Sequence, residues 1–313
     1  MLLFMTVSSS LPPANAATET QVWLWQGFPI TYQTQGTQGS AVVLVHGFGA
    51  SLGHWRKNIP VLAEGCRVYA IDLIGFGGSA KPTPGMLKPG EQIEYTFETW
   101  GQQLADFCKE VVGEPAFLVG NSVGCIAVMQ AVVDHPEIGR SIALLNCSLR
   151  LLHDRRRATQ PWFKRVGAPI LQRVLKNKWL GQTFFNQLAK PATVRKILLK
   201  AYRNADAVTD ELIGLLMAPA KDAGAVDVFI AFTGYSQGPL PEELLEKLPC
   251  PAIILWGDAD PWEPIALGKA FADYPQVHQF IPLEGVGHCP QDEAPELVNP
   301  ILQNWIAAQS HHD

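Results

Sequence analysis

Ala116-Phe117-Leu118-Val119 runs straight into Gly120-Asn121-Ser122-Val123-Gly124, and a helix-like stretch starts at Ile126. Four consecutive apolar residues read as a strand buried on both faces. A serine between two glycines at the end of such a strand, with a helix next, is a nucleophile elbow in the strand–turn–helix context its mechanism needs. The turn holds the serine in a strained backbone conformation, and each glycine lets neighbouring backbone pass where a Cβ would collide. Ser122 is therefore expected above the sheet edge with its hydroxyl free to react.

Two later segments supply what a serine needs. Ile253-Ile254-Leu255-Trp256 reads as a buried strand and enters a turn, Gly257-Asp258-Ala259-Asp260-Pro261, with two carboxylates. Gly285-Val286-Gly287-His288 follows the strand-like residues Val277 to Leu283. A hydroxyl is a weak nucleophile at neutral pH, so an imidazole must take its proton during attack and return it to the leaving group. His288 is the candidate. The other seven histidines have no such slot: His46 reads as structural, orienting the loop around it, and His54, His135, His153, His278, His311 and His312 have no comparable context. The imidazole needs a carboxylate to fix its tautomer and stabilise its cation, and Asp258 and Asp260 compete for that role.

Serine, then acid, then histidine is the chain order of α/β-hydrolases. With Val42-Val43-Leu44-Val45 leading into His46-Gly47-Phe48-Gly49, the chain resembles that superfamily. The resemblance implies an α/β fold: a mostly parallel sheet flanked by helices, with a helical cap inserted before the last strands. It points to Asp260 as the acid, with Asp258 facing solvent or capping the turn, and to the backbone amides of Phe48 and Val123 as the oxyanion hole. Relatives that attack with Asp, the haloalkane dehalogenases and epoxide hydrolases, are set aside by Ser122. The glycine-rich run Asp72-Leu73-Ile74-Gly75-Phe76-Gly77-Gly78-Ser79 lacks a Gly-Lys-Ser/Thr or dinucleotide fingerprint and reads as a turn, not a phosphate loop.

At 313 residues and 47% apolar content the chain can hold one large core plus an insertion. Val22 to Gln26 and Ile30 to Gln33 read as an antiparallel hairpin around Gly27, Val68 to Leu73 as another buried strand, and Ser141 to Asn146 as a further one. His54 to Ala63 and Thr96 to Val112 read as helices. After Ser148 the strand–helix alternation stops until Pro251, with breaks at Gly167, Pro169, Gly181, Pro191 and Pro219. The expected organisation is residues 21–149 and 241–310 as the core and 150–240 as the cap. Residues 1–20 are expected to be a disordered or leader segment: Met1 to Val7 is apolar and Ala14-Asn15-Ala16 looks like a cleavage site, yet no Lys or Arg precedes Arg56. That argues against secretion. No stretch is apolar for long enough to span a membrane. The six cysteines are scattered and most read as reduced core positions, and with no His-Glu-x-x-His no metal or other cofactor is expected.

Charge is unevenly placed. Arg150 to Arg203 contains 14 of the 24 Lys and Arg but only one acid, Asp154, of the 29 Asp and Glu. Trp162, Phe163, Trp179, Phe184 and Phe185 are interleaved with these charges. Such a surface suits contact with an anionic bilayer and uptake of a lipophilic substrate, with Trp162, Phe163, Phe184 and Phe185 as substrate-binding candidates; a solvated basic face is the plainer alternative. The helices carry no nucleic-acid reading motif.

His46 to Ser51, His54-Trp55-Arg56-Lys57-Asn58-Ile59-Pro60, Val68 to Leu73 and Gly285 to Asp292 resemble plastid and cyanobacterial hydrolases of the chlorophyll dephytylase type, with pheophytinase more distant. The similarity covers about residues 20 to 308. Cys125 departs from the pheophytinase-like pattern, which has a second glycine there. The resemblance implies hydrolysis of a phytyl ester of chlorophyll or pheophytin, and the expected location is intracellular, either cytoplasmic or associated with the plastid or thylakoid. Other chemistries open to the same residues are a general carboxylesterase, a perhydrolase and a C–C bond hydrolase. A binding protein that keeps the triad is the alternative of a different class, and turnover of a p-nitrophenyl ester separates it from all of these.

Overall fold

The computed structural model describes residues 18–85, 93–158 and 177–310. Eight strands form one sheet: β1 (Glu19–Trp25), β2 (Phe28–Gln35), β3 (Ala41–Val45), β4 (Arg67–Ile71), β5 (Ala116–Asn121), β6 (Gly139–Leu145), β7 (Ala252–Gly257) and β8 (Val277–Leu283). Their order is β1-β2-β4-β3-β5-β6-β7-β8. The β1/β2 hairpin and the β2/β4 pair are antiparallel, and every pair from β4 to β8 is parallel.

The continuous apolar runs have a direct cause. Side chains alternate across a strand, and here both faces are covered by helices. Val43, Val45 and Leu118 enter one core with Trp100, Leu104, Ile126 and Val128, whereas Val42, Leu44, Phe117 and Val119 enter the other with Ile59, Leu62, Val298 and Leu302. The helices Phe97–Phe107 and Val123–Asp134 thus cover one face, and Ile59–Leu62 and Pro295–Ser310 the other. Substrate chemistry in such sheets belongs at the carboxyl ends of the strands, where the order reverses; β3 and β5 meet at that point.

Three sequence expectations need correction. The helix expected over His54 to Ala63 is instead a 3-10 turn, Leu52–Trp55, and a single α-turn, Ile59–Leu62. Pro60 is the reason, since it has no amide to donate and fits only a first helical turn. The elbow helix begins at Val123, not Ile126, with no spacer after the serine. Gly181 does not break the chain but lies inside the helix Lys178–Leu188. Thr96 to Val112 is helical as expected; its last turn widens to a π-turn that Gly113 closes at φ +78°.

Between β6 and β7 all regular structure among the described residues is helical: Asp154–Ala158, Lys178–Leu188, Pro191–Ala201, Asp210–Met217, Ala225–Gly234 and Pro241–Leu245, with short 3-10 turns between. Among the described residues no helix is long and apolar enough to cross a membrane.

Candidate active site

Ser122 sits between β5 and its helix at φ 56° and ψ −121°, a conformation L-residues avoid. The flanking glycines are sterically required. A Cβ at Gly120 would lie 2.7 Å from the Cys125 nitrogen, and one at Gly124 2.5 Å from the His46 carbonyl oxygen. Those contacts let the helix start against the strand that precedes it. Cys125 is buried, its thiol within reach of the Gly120 carbonyl at 3.2 Å, so the departure from a second glycine is absorbed by packing.

β7 and β8 bring the other two groups to the serine. His288 Nε2 is 3.0 Å from Ser122 Oγ, and His288 Nδ1 is 2.7 Å from Asp260 Oδ2. Asp260 is the aspartate that reaches the imidazole, whereas Asp258 is exposed and its Oδ1 accepts from the Gly285 amide at 2.8 Å. Burial alone would raise the Asp260 pKa; the hydrogen bond and charge of His288, with help from Asn146 and the Glu263 amide, outweigh it and hold the carboxyl below its usual range. A carboxylate kept ionised in this way fixes the proton of His288 on Nδ1 and leaves Nε2 to accept from the serine.

Asn146, Asn121, Trp262 and Glu263 were not visible as site residues in the sequence. Asn146, at φ 44°, donates to Asp260 Oδ2 at 2.7 Å and to the Gly287 carbonyl at 3.2 Å, and its Oδ1 accepts from Gly257 N. Asn121 donates to the His288 carbonyl at 3.2 Å. The Trp262 indole lies edge-on to the imidazole, with centroids 4.8 Å apart. Asn121 and Asn146 are lone polar residues after apolar runs, and Trp262 and Glu263 stand in the turn after Asp260, patterns shared by many residues without a role.

Glu263 is buried beside this chain and accepts from Ser148 Oγ and the Leu149 amide. Burial pushes its carboxyl up to about 7 from the ordinary 4.5. The folded protein therefore holds a proton that the unfolded chain releases. The resulting stability is whole below about pH 4.5 and is lost as pH rises through about 7. Urea unfolding of the wild type and Glu263→Gln at several pH values should show the wild type losing stability relative to the variant as pH rises across that window; a wild type that holds level with the variant or gains on it as pH rises would contradict the assignment.

The loop after β3 approaches from the other side. A Cβ at Gly47 would come 3.1 Å from Ser122 Cβ, a tight contact that glycine avoids as this loop approaches the serine. Val123 opens its helix, which leaves its amide without an intrahelical acceptor. Phe48 and Val123 line the same cavity as Ser122. His46 is buried behind them, bonded to the Gly47 carbonyl at 2.8 Å and accepting from the Leu73 amide on Nε2, and burial lowers its pKa to about 4. It braces the loop as a neutral ring. The glycine-rich run after β4 wraps on Asp72, which accepts from Leu52 and Gly78 amides, so those donors serve the turn.

Above Ser122 and His288 lies a cavity of about 610 Å³ whose walls include Phe185, Leu188, Val194, Leu198, Phe229 and Phe232. Phe185 lines it and packs on Phe229 at 5.3 Å between centroids; Phe184 is 38% exposed and is not among the lining residues. Trp162 and Phe163 lie outside the described residues. The basic segment is less free than its composition suggests. Arg150 donates to the carbonyls of Pro239 and Gln237 and stacks over Phe97, and Arg155, Arg156 and Arg195 pair with Glu243, Glu242 and Asp210.

A mostly parallel sheet bearing a serine on a strained strand-to-helix turn, against a histidine and a buried aspartate, defines the α/β-hydrolase class. Residues 42–301 match the model of the Alpha/beta hydrolase family, and the chain belongs to it. Chloroplastic pheophytinase of Arabidopsis thaliana is 25% identical over 294 residues, an alignment that covers 85% of this chain and 61% of the relative, so the chain spans less than two thirds of that protein. The uncharacterized hydrolase YugF of Bacillus subtilis (strain 168) is 28% identical over 276 residues, with 88% and 92% covered. Among solved structures, the epoxide hydrolase CorEH without ligand superposes with a TM-score of 0.75 at 19% identity, covering 93% of this chain and 99% of that one, which speaks to fold alone.

Proposed function

We propose that the protein is a serine hydrolase that cleaves carboxylic esters of long lipophilic groups, with a phytyl ester as the substrate that the resemblance to pheophytinase suggests. The observation that carries this reading is the unbroken chain Asp260–His288–Ser122 opening on an apolar cavity. As Ser122 Oγ attacks the ester carbonyl, His288 Nε2 takes its proton, and the oxyanion is met by the Phe48 and Val123 amides, donors worth about 3 kcal/mol each in such sites. The tetrahedral intermediate collapses to an acyl-enzyme while His288 protonates the departing alcohol. Water, deprotonated by the same nitrogen, then releases the acid. The distant similarity to pheophytinase supports a phytyl ester.

In this reading residues 150–240 are a cap that holds the chain of the substrate. Phe185→Ala should raise KM for a long-chain ester by about 10-fold and leave a short acetate nearly unchanged, because only the long chain covers that surface. Phe184→Ala is the control and should alter neither. Assays on an ester panel that includes chlorophyll and pheophytin test this; equal effects on short and long esters would remove the lipophilic assignment. In the helices Lys178–Leu188 and Pro191–Ala201 and the link between them, Trp179, Leu180, Phe184 and Leu199 are exposed, as are Lys190, Lys196 and Lys200. We assign lipid-surface contact to these two helices, not to Arg155 and Arg156, whose charges are already paired. Binding to anionic vesicles that weakens with salt supports it; salt-independent binding, or none, removes it.

A further inference from the structure

The cap helix Pro191–Ala201 ends on the loop that carries His288. The His288 amide donates to the Ala201 carbonyl at 2.9 Å. Beside it, one oxygen of Glu293 accepts from the amides of Arg203 at 2.7 Å and Asn204 at 2.8 Å, and the other accepts from the Gly287 amide at 2.8 Å. Tyr202, between these positions, donates to Asp292 at 2.9 Å, and Asp292 is fully buried against Arg56 and Lys57. The contact is tight enough to dictate sequence. A Cβ at Gly287 would stand 2.1 Å from the Ala201 oxygen and 2.7 Å from Glu293 Oε2. The second glycine of Gly285-Val286-Gly287-His288 is thus a consequence of the cap seated above it.

The amides of the two residues that carry and precede the imidazole find their acceptors in the cap and in a side chain that also grips the cap. Three amides on one buried carboxylate form charge-assisted bonds, stronger than neutral ones. The imidazole is held at Nδ1 by Asp260 and meets Ser122 at Nε2, but its backbone origin depends on this junction. We infer that Glu293 is a positioning residue, clamping the end of the cap helix to the His288 loop so that the imidazole is aligned with Ser122 only when the cap is seated. The inference rests on the serine-hydrolase reading above. It means that this end of the cap stays down during turnover and that substrate access depends on the other cap helices.

Glu293→Gln is nearly isosteric and keeps an oxygen for Arg203 and Asn204, but its amide nitrogen cannot accept from Gly287. The expected result is slower labelling of Ser122 by a fluorophosphonate and lower kcat for short and long esters alike, each by roughly 10- to 100-fold, with KM changed less than about 3-fold, since small misplacements of a catalytic group cost about that much. Tyr202→Phe loosens the same end of the cap without removing a bond to residue 287 or 288 and should label within about 3-fold of wild type. Labelling of Glu293→Gln at the wild-type rate, or equal slowing in both variants, would overturn the inference. Hydrogen exchange gives a second reading that needs no chemistry: the Gly287, His288, Arg203 and Asn204 amides should open together in the wild type and all exchange faster in Glu293→Gln. Independent opening of the loop and cap amides in the wild type would overturn it too, whether or not Glu293→Gln folds. If wild-type Ser122 proved unreactive the serine-hydrolase reading would fall, and exchange alone would then decide the coupling.

Discussion

Ser122→Ala and His288→Ala are each expected to lower kcat by on the order of 10⁴-fold or more, and the double variant to be little worse than either single one. The reason is geometric. With Nε2 3.0 Å from Oγ, every proton the imidazole moves belongs to forming or breaking the bond at Ser122, and without the hydroxyl those transfers disappear. Residues acting as one unit lose their function together, so their losses do not add. Neither change should unfold the protein: both side chains lie at the cavity, and the strained Ser122 backbone is imposed by the packing of Gly120 and Gly124, which remain. Steady-state kinetics on one ester, with circular dichroism as the folding check, decides this. Losses that multiply would show that the two side chains act separately.

Asp260→Asn should cost about 10⁴ in kcat, while Asp258→Asn stays within a few-fold of wild type. The two aspartates are two residues apart and face different partners. Asp260 meets His288 Nδ1 and also accepts from Asn146 and from the amides of Trp262 and Glu263, an arrangement that keeps it ionised. An amide there loses the charge that stabilises the imidazolium and can favour the wrong tautomer. Asp258 only accepts from the Gly285 amide at the surface, and asparagine can do the same. Measuring kcat/KM for both variants separates them, and the reverse ranking would move the acid to Asp258.

The sheet and the reacting trio were legible because their constraints are local. A strand buried on both faces must be continuously apolar, and an elbow without glycines at 120 and 124 would collide with Cys125 and His46. Other parts were hidden because they depend on residues far apart in the chain. Asn146 meets Asp260 across 114 positions, and Glu293 reaches Arg203 across 90. Nothing in either neighbourhood distinguishes them from ordinary loop polar residues. Charge counting could not register, for the same reason, that Arg155, Arg156 and Arg195 are matched by Glu243, Glu242 and Asp210, which lie beyond the counted window. Periodicity likewise read His54 to Ala63 as one helix because a hydrophobic pattern does not register the missing amide of Pro60.

The most direct measurement is rapid-quench mass spectrometry of the protein mixed with excess p-nitrophenyl palmitate, followed by peptide mapping. The account predicts a transient palmitoyl adduct on the peptide containing Ser122, formed with the burst of p-nitrophenol and absent in Ser122→Ala. Turnover without any adduct, or an adduct on another residue, would contradict it.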